Sequence, residues 1–148
     1  MNKLVYTLIN PLVKAVLRSP LHGAMSANTM VIEFKGRKSG RTYSTPVSYH
    51  VRDGGLHCFS LKRFGWWQNL SDGTPVRLSL KGRSVSGKPS VVVDEPEIMQ
   101  AALTDFLIAV PRDAVHSGVA LDAEKRPVAA DVAAVVGDMV YITIELVE

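Results

Sequence analysis

The fold class this sequence predicts is a small antiparallel β-barrel, or an antiparallel sheet curled on itself, carrying a few helices. Three observations predict it. Five or six short segments of strand character, separated by turns rich in Gly, Asp and Lys, follow one another between residues 29 and 93. Stretches of helical period flank or follow them and do not alternate with them, which argues for a mainly β, α+β chain and against parallel βαβ units. The last segment, residues 139–147, is apolar enough to close a sheet. At 148 residues the chain predicts a single domain spanning 1–148 with one sizeable core.

In chain order, the first element is an amphipathic helix within residues 1–18. Leu4, Leu8, Leu12 and Val16 form one row and Val5, Ile9, Val13 and Leu17 the next, with Lys3, Thr7, Lys14 and Arg18 elsewhere. Pro11 after Asn10 also allows a second helix to start there with Asn10 as its cap. Such a helix packs on its own domain, lies on a membrane surface, or lines an apolar cavity. Strands are expected at 29–34 and 43–51, the second with Tyr43, Thr45, Val47, Tyr49 and Val51 on one face. Asp53-Gly54-Gly55 turns the chain into a strand at 56–61. A helical turn at 66–70 precedes strands at 76–80 and 84–93. A helix at 94–110 is ended by Pro111, and a weaker one covers 123–136 before the closing strand.

Charge is localised. The net charge is only +3, yet between residues 35 and 63 there are seven Lys or Arg and one acid, Asp53, while the chain from Asp94 onward is rich in acids. That distribution suggests a local anionic ligand and disfavours a nucleic-acid track. The single cysteine, Cys58, makes an internal disulfide impossible, so the reducing cytoplasm is the expected compartment. The N-terminal segment lacks the uninterrupted apolar run of a signal peptide or a membrane span, which leaves peripheral contact with the inner membrane through its helix as the alternative.

Two stretches carry candidate chemistry. Gly36-Arg37-Lys38-Ser39-Gly40-Arg41 is a glycine-flanked basic bend between strands, where successive N–H groups and three cations can converge on an oxyanion. It lacks Walker spacing, and a solvated turn is the competing reading. Lys62-Arg63-Phe64-Gly65-Trp66-Trp67-Gln68-Asn69 places two adjacent tryptophans after a strand. One is expected to be core and the other to meet a ligand, a partner or the first helix. His50 and His57 face each other if Asp53-Gly54 is a two-residue turn; Cys58 then points to the other face, so no metal site is expected. No Ser, His and acid spacing assigns a triad, and no catalytic residue is assigned.

Taken together, the glycine-flanked basic bend, Thr45-Pro46-Val47, the Asp53-Gly54-Gly55 hairpin, Lys62, and Trp66-Trp67-Gln68-Asn69-Leu70 followed by Val76-Arg77-Leu78 resemble the deazaflavin-dependent nitroreductase family of actinobacteria. The likeness spans residues 28–93. It implies a split β-barrel of about six strands, related to the flavin-binding barrels of pyridoxamine phosphate oxidases, that binds coenzyme F-420, with FMN or FAD as alternatives. It implies hydride transfer to a quinone, a nitroaromatic or another electron-poor acceptor. Carried over by position, Arg37, Lys38, Ser39 and Gly40 meet the phosphate, and Arg41 is the nearest cation to replace a basic residue that the family has where this chain has Tyr43. Thr45, Pro46 and Val47 meet the ring, Lys62 the anionic tail or ring edge, and Trp66 and Asn69 shape the wall. A Tyr or Ser is expected to protonate the reduced acceptor. Related barrels pair as homodimers, and the segment 139–147 suits either an interface or a core. The alternative function is a non-catalytic protein of the same fold holding an apolar ligand such as a fatty acid, or resting on a membrane.

Overall fold

The computed structural model describes residues 28–80 and 82–147. The expected helix within 1–18 lies outside them. Among the described residues no helix is long and apolar enough to cross a membrane.

Among the described residues seven strands form one antiparallel sheet: β1 (Thr29–Lys35), β2 (Thr42–Ser48), β3 (His50–Arg52), β4 (Gly55–Leu61), β5 (Val76–Leu80), β6 (Arg83–Val92) and β7 (Met139–Val147), in the order β2-β1-β5-β6-β7-β4-β3. The two edge strands, β2 and β3, are consecutive in the chain, so the sheet curls into a half-barrel whose edges are joined covalently through Tyr49. This accounts for seven strands where about six were expected. The segment 43–51 is broken at Tyr49, whose side chain is buried and whose N–H donates to the Asn28 carbonyl at 2.8 Å. Beyond that break the alternation no longer holds, and Val51, expected to share a face with Tyr49, is 62% exposed.

Alternation along β4 and β7 builds two cores. Leu56 and Cys58 of β4 and Val140, Ile142 and Ile144 of β7 point into the barrel, where Met30, Ile32 and Leu78 meet them. On the opposite face Phe59 and Leu61, with Met139 and Tyr141, meet a helical layer. A strand buried on both faces reads as continuously apolar, which places the run from Met139 to Ile144 in the core of this chain. Buried among the barrel's side chains, the Cys58 thiol is pushed up to about 12 and is chemically quiet at neutral pH.

The helical layer is α1 (Pro96–Ala109), α2 (Asp113–Ser117) and α3 (Ala129–Val135). Pro96 sits in the first turn of α1, where its missing N–H costs nothing, and Met99, Leu103, Phe106 and Leu107 bury one face, each contributing about 1.5–3 kcal/mol. The weak helix expected over 123–136 starts only at Ala129. Asp122 accepts the N–H groups of Glu124 and Arg126 and winds that stretch into a turn, with Lys125 left-handed at φ 63°. Helix α2 was not expected: five residues are too few to show a period.

Candidate functional site

The β1–β2 hairpin is the basic bend. The Gly36 N–H donates to the Arg41 carbonyl at 2.7 Å and the Gly40 N–H, at φ 71°, donates to the Gly36 carbonyl at 2.8 Å. Gly36 is required for a different reason: a Cβ there would lie 2.8 Å from both Ser39 Oγ and a ring carbon of Tyr43. Arg41 N–H donates to Ser39 Oγ at 3.2 Å, and the Ser39 and Tyr43 hydroxyls lie 3.4 Å apart. Three of the bend's six N–H groups, those of Gly36, Gly40 and Arg41, are held within the hairpin, and the exposed Lys38 and Arg41 side chains are its outward charge.

Asn69 fastens this hairpin to the tryptophan turn. Its Oδ1 accepts the Arg37 N–H at 2.9 Å while its Nδ2 donates to the Trp66 carbonyl at 2.8 Å, and Arg37 Nη2 donates to Gln68 Oε1 at 2.5 Å. The expected helical turn is a 3-10 turn, Trp66–Leu70, preceded by Gly65 at φ 76°. Trp66 is 4% exposed, donates from Nε1 to Ser60 Oγ at 2.9 Å, and packs 5.7 Å from the Phe34 ring. Trp67 is half-buried against the same barrel core, its Nε1 donating to the Lys62 carbonyl at 2.9 Å, so both tryptophans serve one core.

Thr45, Pro46 and Val47 of β2 line a cavity of about 330 Å³, whose walls include Ser48, Phe59, Phe64, Trp66, Phe106 and the α2 residues Asp113, His116 and Ser117. β2 is an edge strand, where a proline without an N–H breaks no ladder, and its outer edge offers backbone carbonyls and N–H groups to whatever fills the gap. Ser48 Oγ donates to Asp113 Oδ1 at 3.1 Å, tying β2 to α2. A second cavity of about 630 Å³ adjoins it, sharing Leu61, Ser117 and Met139, with Lys62, Arg63, Val135 and Asp138 completing its wall. Lys62 Nζ is paired with Asp94 at 2.8 Å. Arg37 and Asn69 border a third hollow, about 470 Å³, beside Lys35, Asp72 and Arg77. The structure thus brings Thr45, Pro46, Val47 and Trp66 to one cavity and Lys62 to its neighbour. It places Arg37 and Asn69 at the hinge between hairpin and turn. Lys38, Ser39, Gly40 and Arg41 line none of these three.

Sequence reasoning missed Phe59, Phe106 and His116. The helical residues are forty and fifty positions downstream of Trp66, and only the fold brings them to β2. Phe59 and Phe106 belong to a closed ring of five aromatic side chains: His50, His57, Tyr141, Phe59 and Phe106 contact one another in that order and back to His50, with centroids 5.0–5.8 Å apart. The Asp53-Gly54 turn, both residues at positive φ, sets His50 opposite His57. The Arg52 carbonyl can only accept, so His57 Nε2 carries the proton and donates to it at 3.1 Å, while Nδ1 accepts the Tyr141 O–H at 2.6 Å. Arg52 in turn pairs with Asp105 of α1. Among the described residues no group of three His, Cys, Asp or Glu could hold a metal ion.

Burial holds His50 below the ordinary imidazole value of 6.5; the neighbouring His57 and Arg52 push the same way and Asp105 opposes them. The unfolded chain then binds more protons than the folded one below 6.5, so stability is complete above that pH and declines as pH falls through it. Urea denaturation at pH 7.5 and pH 5 is expected to show this loss, and His50→Gln to reduce it. Equal slopes in the two proteins would remove His50 as the cause.

No protein-family model matches the chain, and no curated protein matches it. Among solved structures it is similar to an FAD-binding protein from Mesorhizobium loti (16% identity, 88% of this chain and 91% of that one, TM-score 0.51). It is also similar to a Clostridium acetobutylicum protein related to general stress protein 26, of the pyridoxinephosphate oxidase family (9% identity, 99% and 86%, TM-score 0.55). A third similar chain forms a domain-swapped dimer (9% identity, 93% and 97%, TM-score 0.50). The shared feature is the split-barrel fold.

Proposed function

We propose that this chain is an oxidoreductase that binds a flavin-type cofactor, the deazaflavin coenzyme F-420 by preference over FMN or FAD, and passes a hydride to a flat, electron-poor acceptor such as a quinone or nitroaromatic. The observation that carries the reading is the course of β2. It leaves the basic bend at Arg41 and reaches the cavity at Thr45, four residues or about 13 Å later, so one strand joins an anion-attracting turn to an apolar slot with an open backbone edge. A cofactor with a phosphate at one end and a flat ring with amide-like edges at the other suits that pairing. The FAD-binding neighbour and the pyridoxinephosphate oxidase relative share the fold and support the choice of cofactor class.

In this reading Lys38 and Arg41, with Arg37, Ser39 and Gly40 shaping the bend, hold the phosphate. Thr45, Pro46 and Val47 face the ring, Trp66 and Phe59 wall it, and Asn69 keeps bend and wall in register. Lys62 exchanges Asp94 for the cofactor's anionic tail. When bound, a reduced deazaflavin or flavin supplies the hydride; the chain supplies orientation and exclusion of water. A homodimer is the proposed assembly, as in the domain-swapped relative. The adjoining cavity, apolar at Leu61, Val135 and Met139 with cations at its rim, favours one second reading, a non-catalytic holder of an amphipathic anion.

Titrating the protein into F-420, FMN or FAD while following cofactor fluorescence tests the proposal. Saturable binding is expected, with the double substitution Lys38→Ala, Arg41→Ala weakening it at least about tenfold for FMN and not for riboflavin, which lacks the phosphate. No saturable change with any of the three cofactors would sink it.

A further inference from the structure

We propose that His116 is the proton donor to the reduced acceptor. This rests on the oxidoreductase reading above and adds what that reading lacks, a source for the proton that must follow the hydride. The expected donors were Tyr or Ser; of the three serines on the cavity wall Ser48 and Ser60 are held by partners, and Ser117 offers an alkyl hydroxyl, a far weaker acid than an imidazolium at neutral pH. Among the described residues no tyrosine lines the cavity. Tyr141 lies behind Phe59 with its O–H held by His57 Nδ1. Ser48 gives its proton to Asp113, and Ser60 accepts from Trp66 Nε1 while donating to the Leu61 carbonyl at 3.4 Å.

His116 is the imidazole on the wall, carried by α2 opposite the Thr45–Val47 edge. Imidazole is the ordinary side chain that changes charge between pH 5 and 8, the range a donor working at neutral pH needs. The outer side of His116 is exposed, so water can return the proton after each turnover. Asp113, one helical turn before it, is pinned by Ser48, and Arg112 beside it donates to Thr29 Oγ1 at 2.9 Å, which together fix α2 against β1 and β2. For a quinone the step balances as follows. One carbonyl oxygen receives the hydride, with its two electrons, from the reduced cofactor. The displaced π pair collects on the opposite oxygen, which takes the imidazolium proton and leaves a hydroquinone and a neutral imidazole.

The test compares wild type with His116→Gln, using menadione and reduced F-420 or FMN. Menadione added to cofactor-free protein is expected to shift the His116 ring resonances in NMR and leave those of His57 unmoved. In turnover, wild-type kcat falls as pH rises, whereas the variant is at least about 100-fold slower with that limb absent, and its cofactor affinity stays within twofold. Added imidazole restores part of the rate. An unmoved His116 resonance, or a variant matching wild type in kcat and pH profile, overturns the assignment and leaves the oxidoreductase reading standing. If wild type binds cofactor but transfers no hydride to menadione or to nitrobenzene derivatives, the oxidoreductase reading falls and takes this one with it.

Discussion

Replacing Trp66 by alanine should destabilise the fold by about 3–5 kcal/mol and open the cavity into the barrel interior. The size follows from where the indole sits. It is 4% exposed, in tilted contact with Phe34 at 5.7 Å, and its Nε1 satisfies Ser60, itself buried at the barrel wall. Truncation removes the largest side chain of that layer and leaves a void that the rigid strands cannot close. It also leaves Ser60 without its donor, which adds to the loss. Trp66→Phe separates the two terms: the ring contact survives and the hydrogen bond does not, so a cost of about 1 kcal/mol is expected. Urea denaturation read by far-UV circular dichroism measures both. A loss below about 1 kcal/mol for the alanine variant would mean that Trp66 covers the cavity and does not support the barrel. The same experiment bears on function, because Trp66 is both barrel filler and cavity wall. A cofactor bound beside it should regain part of the stability that the alanine variant loses.

The strands at 29–34, 56–61, 76–80, 84–93 and 139–147 were legible to within a residue or two because each is a short run rich in strand-forming residues, bounded on at least one side by a glycine-bearing turn or a helical segment. The turn at 66–70 was legible for the same reason, with Gly65 before it. What the sequence concealed was the consequence of curling. A run such as 43–51 shows one continuous alternation whether it is one strand or two, and only closure of the half-barrel makes Tyr49 a corner. The candidate site divides along the same line. Thr45, Pro46, Val47 and Trp66 could be named because they stand in short, patterned stretches. The opposite wall could not, since Ser48 and Asp113 are 65 positions apart and α2 is too short to announce itself. Asn69 was expected to shape the wall, and the structure shows what it holds together: the Arg37 N–H on one side and the Trp66 carbonyl on the other.

Gly87→Ala should cost about 1–2 kcal/mol net, the reverse of what such a change does at an unconstrained site. Exchanging Gly for Ala at a compatible backbone position usually stabilises by about 0.4–1 kcal/mol through the unfolded chain. Gly87 lies in β6 between Val76 of β5 and Leu146 of β7, on the inner face of a small half-barrel where side chains from neighbouring strands crowd. A Cβ there would stand 2.4 Å from Ile144 Cγ2 and 3.3 Å from Leu78 Cδ1. The first of these belongs to a β-branched residue in the core, 1% exposed, whose methyl cannot rotate away without leaving its rotamer. Overpacking of this kind costs about 1–3 kcal/mol, so it outweighs the entropic gain. Because the collision is with one methyl group, the pair Gly87→Ala, Ile144→Leu, which keeps the side-chain volume but removes Cγ2, should recover most of the loss, a coupling that a double-mutant cycle measures directly. Gly137→Ala, where an added Cβ meets nothing within 4 Å, serves as the control and should be neutral or slightly stabilising. If Gly87→Ala proves as benign as Gly137→Ala, β6 and β7 can separate at this level, and the half-barrel is wider there than the packing of Ile144 requires.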